Sequence, residues 1–174
     1  MTRRRRSFFE KLCGNIRVAL ALDKRSRGIK GIDPFRLSGN LDVIVQSTFI
    51  RIGSREGALP AWSVVEALAE AVEHVRRGRH PIQVEMVAGI PSVWLHETDT
   101  HGKAGLRLVY QTLETPPFSR EDFDIACEQA AYWMISELMA FSNADHWSEA
   151  FHQSLDRVLT VWPALDLRWS PVTR

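Results

Sequence analysis

Residues 82–110 read IQVEMVAGIPSVWLHETDTHGKAGLRLVY, and the periodicity of this stretch decides the fold class. Ile82, Val84 and Met86 alternate with Gln83 and Glu85, Val93 to His96 forms a short second run, and Leu106, Leu108 and Tyr110 alternate with Arg107, Val109 and Gln111. A period of two places successive side chains on opposite faces of a half-buried strand. Gly89, Ile90 and Pro91 make a tight connection, while Glu97 to Gly105, with glycines at 102 and 105, reads as a longer polar hairpin loop. Connections this short join antiparallel neighbours, because a parallel crossover needs roughly a dozen residues or more. The stretch is therefore read as a three-stranded antiparallel meander.

Working outward toward the N-terminus, Pro60 opens a helix that runs to about Arg77 and stops at Gly78, with Val64, Val65, Leu68, Ala71, Val72 and Val75 on its inner side. Before it, Val43, Val45 and Thr48 to Ile52 read as strand through their β-branched content. Farther back, Phe8, Phe9, Leu12, Ile16 and Leu20 recur at helical spacing and predict a helix from about Phe8 to Leu22, followed by a turn-rich connector from Asp23 to Asn40. On the C-terminal side, Pro116 and Pro117 end the sheet, and Ser119 with Asp122 three residues on resembles a capping box. The helix so opened, to about Phe141, is apolar on nearly every side from Ala126 onward, the pattern of a helix central in a fold or covered by a partner. Asn143 or Asp145 caps a further helix that ends at Pro163, and Leu165, Leu167 and Trp169 alternate as a short closing strand.

This order predicts the α+β class: an antiparallel sheet of about four or five strands with helices packed mainly on one face, plus a basic N-terminal helix or arm. Residues 1–40 are expected to form that arm and a linker, and residues 41–174 a single α+β domain.

The composition fits a globular domain. The chain has 174 residues, 45% of them hydrophobic and 25% charged, which excludes a disordered or collagen-like chain. Two cysteines, Cys13 and Cys127, exclude a disulfide framework and a four-cysteine zinc site. No stretch approaches the roughly 18 apolar residues that cross a bilayer. Arg5 and Arg6 before Phe8 and Phe9 have the look of a twin-arginine signal, but Asn15 and Arg17 interrupt the apolar region that export requires, so a cytoplasmic location is expected.

The chain carries no G-x-G-x-x-G, P-loop, G-x-S-x-G or H-E-x-x-H pattern, which argues against nucleotide-dependent, serine-hydrolase and zincin chemistry. Two histidine clusters are candidate metal or catalytic groups: His96, Glu97, Asp99 and His101 around the hairpin loop, and Asp145, His146, Glu149 and His152 at a helix start. A solvated loop accounts for the first, and an acidic first turn complementing the helix dipole accounts for the second. Neither metal nor cofactor is expected, and the chain is read as a non-enzyme. Cys127, among apolar neighbours, is read as core packing rather than a nucleophile.

Charge is the most specific feature. The formal net charge of +1 divides into +8 for residues 1–40 and −7 for the remainder. Arg3, Arg4, Arg5, Arg6, Lys11, Arg17, Lys24, Arg25 and Arg27 suit phosphate contacts, so a nucleic-acid-associated accessory role in a plasmid, phage or defence system is one reading. Residues 111–156 hold nine carboxylates against Arg120 alone, a field that attracts basic proteins. Glu121, Asp122, Asp124, Glu128, Asp145, Trp147 and Glu149 are accordingly the expected protein-binding residues, facing a basic partner or a second copy of the chain.

From Leu41 onward, the strand, the Pro60 helix ending at Gly78, the Ile82–Tyr110 meander and the paired C-terminal helices resemble, in element order, the small immunity proteins of bacterial toxin–immunity pairs. That resemblance implies an inhibitor that occludes a basic partner's active site through an acidic helical surface.

Overall fold

The computed structural model describes residues 15–23, 33–53, 59–86, 91–100 and 103–169. The protein is α+β, with two four-stranded antiparallel sheets and the helices between and beside them. The first sheet contains β1 (Ile16–Leu22), β2 (Ser38–Val45), β3 (Thr48–Ile52) and the short β4 (Leu59–Pro60), with β2 pairing all three others. The second has the order β5 (Ile82–Val84), β6 (Val93–Thr100), β7 (Lys103–Tyr110) and β8 (Leu113–Glu114). Helix α1 (Ala61–Arg76) connects the two sheets in sequence, and α2 (Arg120–Phe141), α3 (Glu149–Val161) and α4 (Pro163–Trp169) follow the second.

The meander of residues 82–110 is present, and its strands run farther than expected. β6 and β7 pair from Val93↔Tyr110 to Thr100↔Lys103, so most of the stretch read as a polar loop is ladder. Thr98, Thr100 and the alternation around them tolerate a solvated strand as well as a loop, and cross-strand pairing decides between the two. Tyr110 and Leu113 are joined by a two-residue turn in which Gln111 has φ 55°, and Val45 and Thr48 by another in which Gln46 has φ 54°. Neither turn carries the Asn-Gly or Asp-Gly signature, which is why β8 leaves no mark in the sequence. Beyond β8 the chain stays beside β7: Leu106 and Phe118 exchange two backbone hydrogen bonds of 2.8 Å.

Two elements differ from the expectation. Ile16–Leu22, read as the end of a helix, is strand β1, paired with β2 from Ile16↔Val45 to Leu22↔Gly39. A spacing of four, as from Ile16 to Leu20, is shared by a helix face and by every second pair on a strand. Here Ile16, Val18 and Leu22 are buried and Arg17 and Ala21 exposed, the strand solution. The remainder of that predicted helix, residues 8–14, lies outside the described residues. The closing strand is replaced by α4: a proline is tolerated at the first position of a helix, so Pro163 ends α3 and starts its successor.

The remaining boundaries follow local chemistry. Ser119 caps α2, its hydroxyl accepting from the Asp122 N–H at 3.0 Å. Asn143 caps a 3-10 turn at Ala144–His146, and Ser148 caps α3 by accepting from the Phe151 N–H at 3.2 Å. Gly78, at φ 67°, turns the chain out of α1 in the left-handed region that glycine enters without steric cost.

The most enclosed helix is α1, not α2. It buries ten residues, among them Trp62, Val64, Val65, Leu68, Val72 and Val75, and packs against β2, β5, α2 and α3. Its polar contacts tie the helices together. Arg76 donates from Nε (2.6 Å) and Nη2 (2.9 Å) to the Asp124 carboxylate of α2 and from Nη1 to the Val161 carbonyl of α3 at 2.7 Å. Trp162 Nε1 donates to the same carboxylate at 2.9 Å. Helix α2 packs along α1 and β1.

Candidate functional site

Helix α2 has two sides of different chemistry. Phe123, Ala126, Cys127, Ala130, Ala131, Met134, Ile135 and Leu138 are buried against the core. Small residues on this side let β1 and α1 approach closely. The opposite side, an arc of roughly 140°, carries the exposed Glu121, the half-buried Asp122, Ile125 and Glu128, and the exposed Trp133 and Met139. Trp133 and Met139 are 40% and 42% exposed, two of five large hydrophobic side chains so placed among the described residues. The carboxylates, with the half-buried Ile125 among them, therefore occupy the N-terminal half of this face, and the exposed large apolar side chains the C-terminal half. Tyr132 meets Trp133 edge-on, with ring centroids 5.7 Å apart.

The seven expected binding residues divide accordingly. Glu121, Asp122 and Glu128 lie on the outward side of α2. Asp145 and Glu149 are exposed on the segment that follows, Asp145 in the 3-10 turn and Glu149 in the first turn of α3, where it accepts from Gln153 at 3.3 Å. Asp124 is engaged inside the protein by Arg76 and Trp162. Trp147 is buried, its indole N–H donating to Ser142 Oγ at 2.6 Å and its ring packed edge-on against Phe151. Trp133 stands on the outward side, and periodicity missed it because α2 is apolar all round. The only sequence signal for its exposure is its position across the helix from Ile135 and Leu138.

Of the arginines and lysines read as phosphate contacts, Arg17 is exposed on β1; Arg3 to Arg6, Lys11, Lys24, Arg25 and Arg27 lie outside the described residues.

The histidine clusters are separated by the backbone that carries them. His96 and Glu97 are neighbours on β6 and so lie on opposite faces of the sheet. The His96 ring stacks on Trp94, with centroids 6.2 Å apart. Glu97 is held by Arg120 and approached by His80 Nε2 at 3.3 Å. His101 lies outside the described residues. His146 and His152 are exposed, the latter against the Trp147 ring, and among the described residues no group of three metal-capable side chains gathers. Burial pushes the Cys127 thiol well above its ordinary range, and the Asp124 charge adds to the shift. A thiol so held stays protonated and is a poor nucleophile.

His80 was not singled out by the sequence, because nothing local distinguishes it. Its side chain is 9% exposed, and burial holds its pKa below the ordinary 6.5; Glu97 opposes that shift and Arg120 reinforces it. The folded state therefore binds a proton here less readily than the unfolded chain. Stability is lost as pH falls below about 6.5, until the folded imidazole itself titrates. The urea midpoint is expected to drop between about pH 7.5 and about pH 5.5, and His80→Gln is expected to reduce that drop. An equal drop in the variant would show that other groups carry it.

A second polar cluster joins α1 to α3. Trp62 Nε1 donates to the fully buried Ser154 Oγ at 2.6 Å, the Ser154 hydroxyl donates to Glu66, and Arg157 reaches the same carboxylate at 3.3 Å. Among the described residues no histidine joins this network, and the serine hydroxyl is committed at both ends. The cluster satisfies buried polar groups at a helix interface.

The chain matches no family model, no curated protein and no solved structure.

Proposed function

We propose that the protein works without catalysis by binding a basic protein partner through the outward side of α2, in the manner of a cytoplasmic bacterial immunity protein that covers its toxin's active site. The observation that carries this reading is the coexistence, on one helix face, of Glu121, Asp122 and Glu128 with the exposed Trp133 and Met139. A soluble surface needs the carboxylates but not the tryptophan. Tryptophan is enriched among interface residues that dominate binding energy, and carboxylates around it steer a cationic partner and raise its association rate. Asp145 and Glu149 extend the negative field, and the large apolar residues nearest them, Trp147 and Phe151, are buried, which suits the two carboxylates to the rim of such an interface.

The test is copurification of a tight basic partner with the full chain, followed by titration of that partner against variants. Glu121→Lys with Glu128→Lys is expected to weaken binding by about 100-fold, mainly through slower association at low salt, and Trp133→Ala by about 10- to 100-fold through faster dissociation. Unchanged affinity in both variants, with the denaturation midpoint retained, would remove this face from the interface.

A further inference from the structure

We propose that the outward face of α2 is a docking site for the chain's own basic N-terminal segment, residues 1–14, so that a partner must compete with an internal ligand. This deepens the reading of that face as a protein-binding surface and rests on it.

Three observations converge. The first is charge. Residues 1–14 carry Arg3, Arg4, Arg5, Arg6 and Lys11 against Glu10 alone, while the exposed half of α2 presents Glu121, Asp122 and Glu128. The second is apolar matching. Phe8, Phe9 and Leu12 follow the arginines, just as Trp133 and Met139 follow the carboxylates along the helix. A purely solvated basic tail has no need of two adjacent phenylalanines. The third is reach. Strand β1, which begins at Ile16, packs directly against α2, and the Asn15 carbonyl is anchored by the Gln46 N–H at 3.1 Å. Fourteen residues span at most about 46–50 Å, against about 33 Å for the 22-residue helix. The tether therefore reaches any point on the face.

Tethering makes a weak contact effective. A short linker holds its ligand at a local concentration on the order of millimolar, so an intramolecular contact too weak to detect between separate molecules is mostly formed within one. A basic partner with several contacts displaces the arm, whereas scattered cations on other proteins do not. The arm thus acts as a threshold for non-specific binding to an otherwise sticky face, and it shields the apolar half from water.

The experiment uses the full chain alone, so its outcome is independent of whether any partner exists. Chymotrypsin cuts after Phe8 and Phe9, and mass spectrometry follows those two cuts. Cleavage of a segment that opens and closes rapidly reports the fraction open. At about 50 mM salt, Glu121→Lys/Asp122→Lys/Glu128→Lys and, separately, Arg3→Gln/Arg4→Gln/Arg5→Gln/Arg6→Gln are each expected to speed these cuts about tenfold. At about 0.5 M salt the difference is expected to vanish. If the helix variant fails to fold by circular dichroism, the arm variant decides alone. Rates equal to wild type at low salt overturn the proposal. Protection that grows with protein concentration overturns it too, because the arm would then sit on a second copy. A partner that binds a chain whose arm is unprotected leaves the function standing and this inference refuted; a protected arm with no basic partner does the reverse.

Discussion

Trp62→Ala is expected to destabilise the fold by about 3–5 kcal/mol, at the top of the range for single core truncations. Trp62 is fully buried on α1, its ring 4.6 Å from that of Phe151 on α3, and its indole N–H is bonded to Ser154. Truncation removes the transfer energy of the largest fully buried side chain and leaves a cavity at the junction of two helices. Burial of the surrounding elements limits how far that cavity can collapse. It also takes the indole N–H away from the Ser154 hydroxyl, which remains bonded to Glu66 and so is not orphaned. Trp62→Phe separates these terms: it keeps most of the packing and loses the hydrogen bond, and is expected to cost about 1–2 kcal/mol. Urea unfolding with unchanged slope is the measurement. A loss below about 1 kcal/mol for the alanine variant would mean that α1 and α3 are not coupled through this ring.

Gly39→Ala is the second large effect, because the obstacle is backbone. A Cβ at Gly39 would stand 2.5 Å from the Ala21 carbonyl oxygen, 3.1 Å from its carbon and 3.3 Å from the Leu22 Cα. None of these can rotate away. The β1–β2 ladder must shift instead, and with it the seven paired positions that join β1 to the sheet. An expected cost of about 2–3 kcal/mol follows from overpacking of this kind. Gly78→Ala is the control: its φ of 67° is strained for alanine, but nothing lies within 4 Å of the added Cβ. Only the conformational cost of about 1 kcal/mol remains there. Equal losses at the two glycines would contradict the close approach of β1 to β2.

The contrast between those glycines shows which parts of the molecule are legible locally. Gly78 follows a periodic helix and reads as its stop. Gly39 reads as one more loop glycine in a turn-rich connector, and the close approach of Ala21, eighteen positions earlier, gives it its meaning. Strand β1 is hidden for the same reason, since a spacing of four suits a helix face and alternate strand positions alike, and the β-branched residues of β2 across the ladder resolve the choice. Leu165 and Leu167 show the converse, where a short alternation was satisfied by α4.

The candidate face was legible as charge and not as geometry. Counting identified the acidic segment from 111 to 156 and the basic one before residue 40. It did not distinguish Glu121 and Glu128, which face outward, from Asp124, three positions after the one and four before the other, which is bonded to Arg76 and Trp162. Nor did it tell the buried Trp147 from the exposed Trp133.

The sequence by itself determined the α+β class, the meander, the caps at Ser119 and Gly78, and the charge division between arm and body, because each depends on residues within a few positions of one another or on a sum over a segment. The tertiary structure decided the separation into two sheets, the strand identity of Ile16–Leu22, the central place of α1, the burial of His80 and the choice of tryptophan left outside. All of these turn on which distant segment comes to lie against a given side chain. A side chain's burial and its pairing energy are properties of that contact, and residues alike in sequence are separated only when the contact forms.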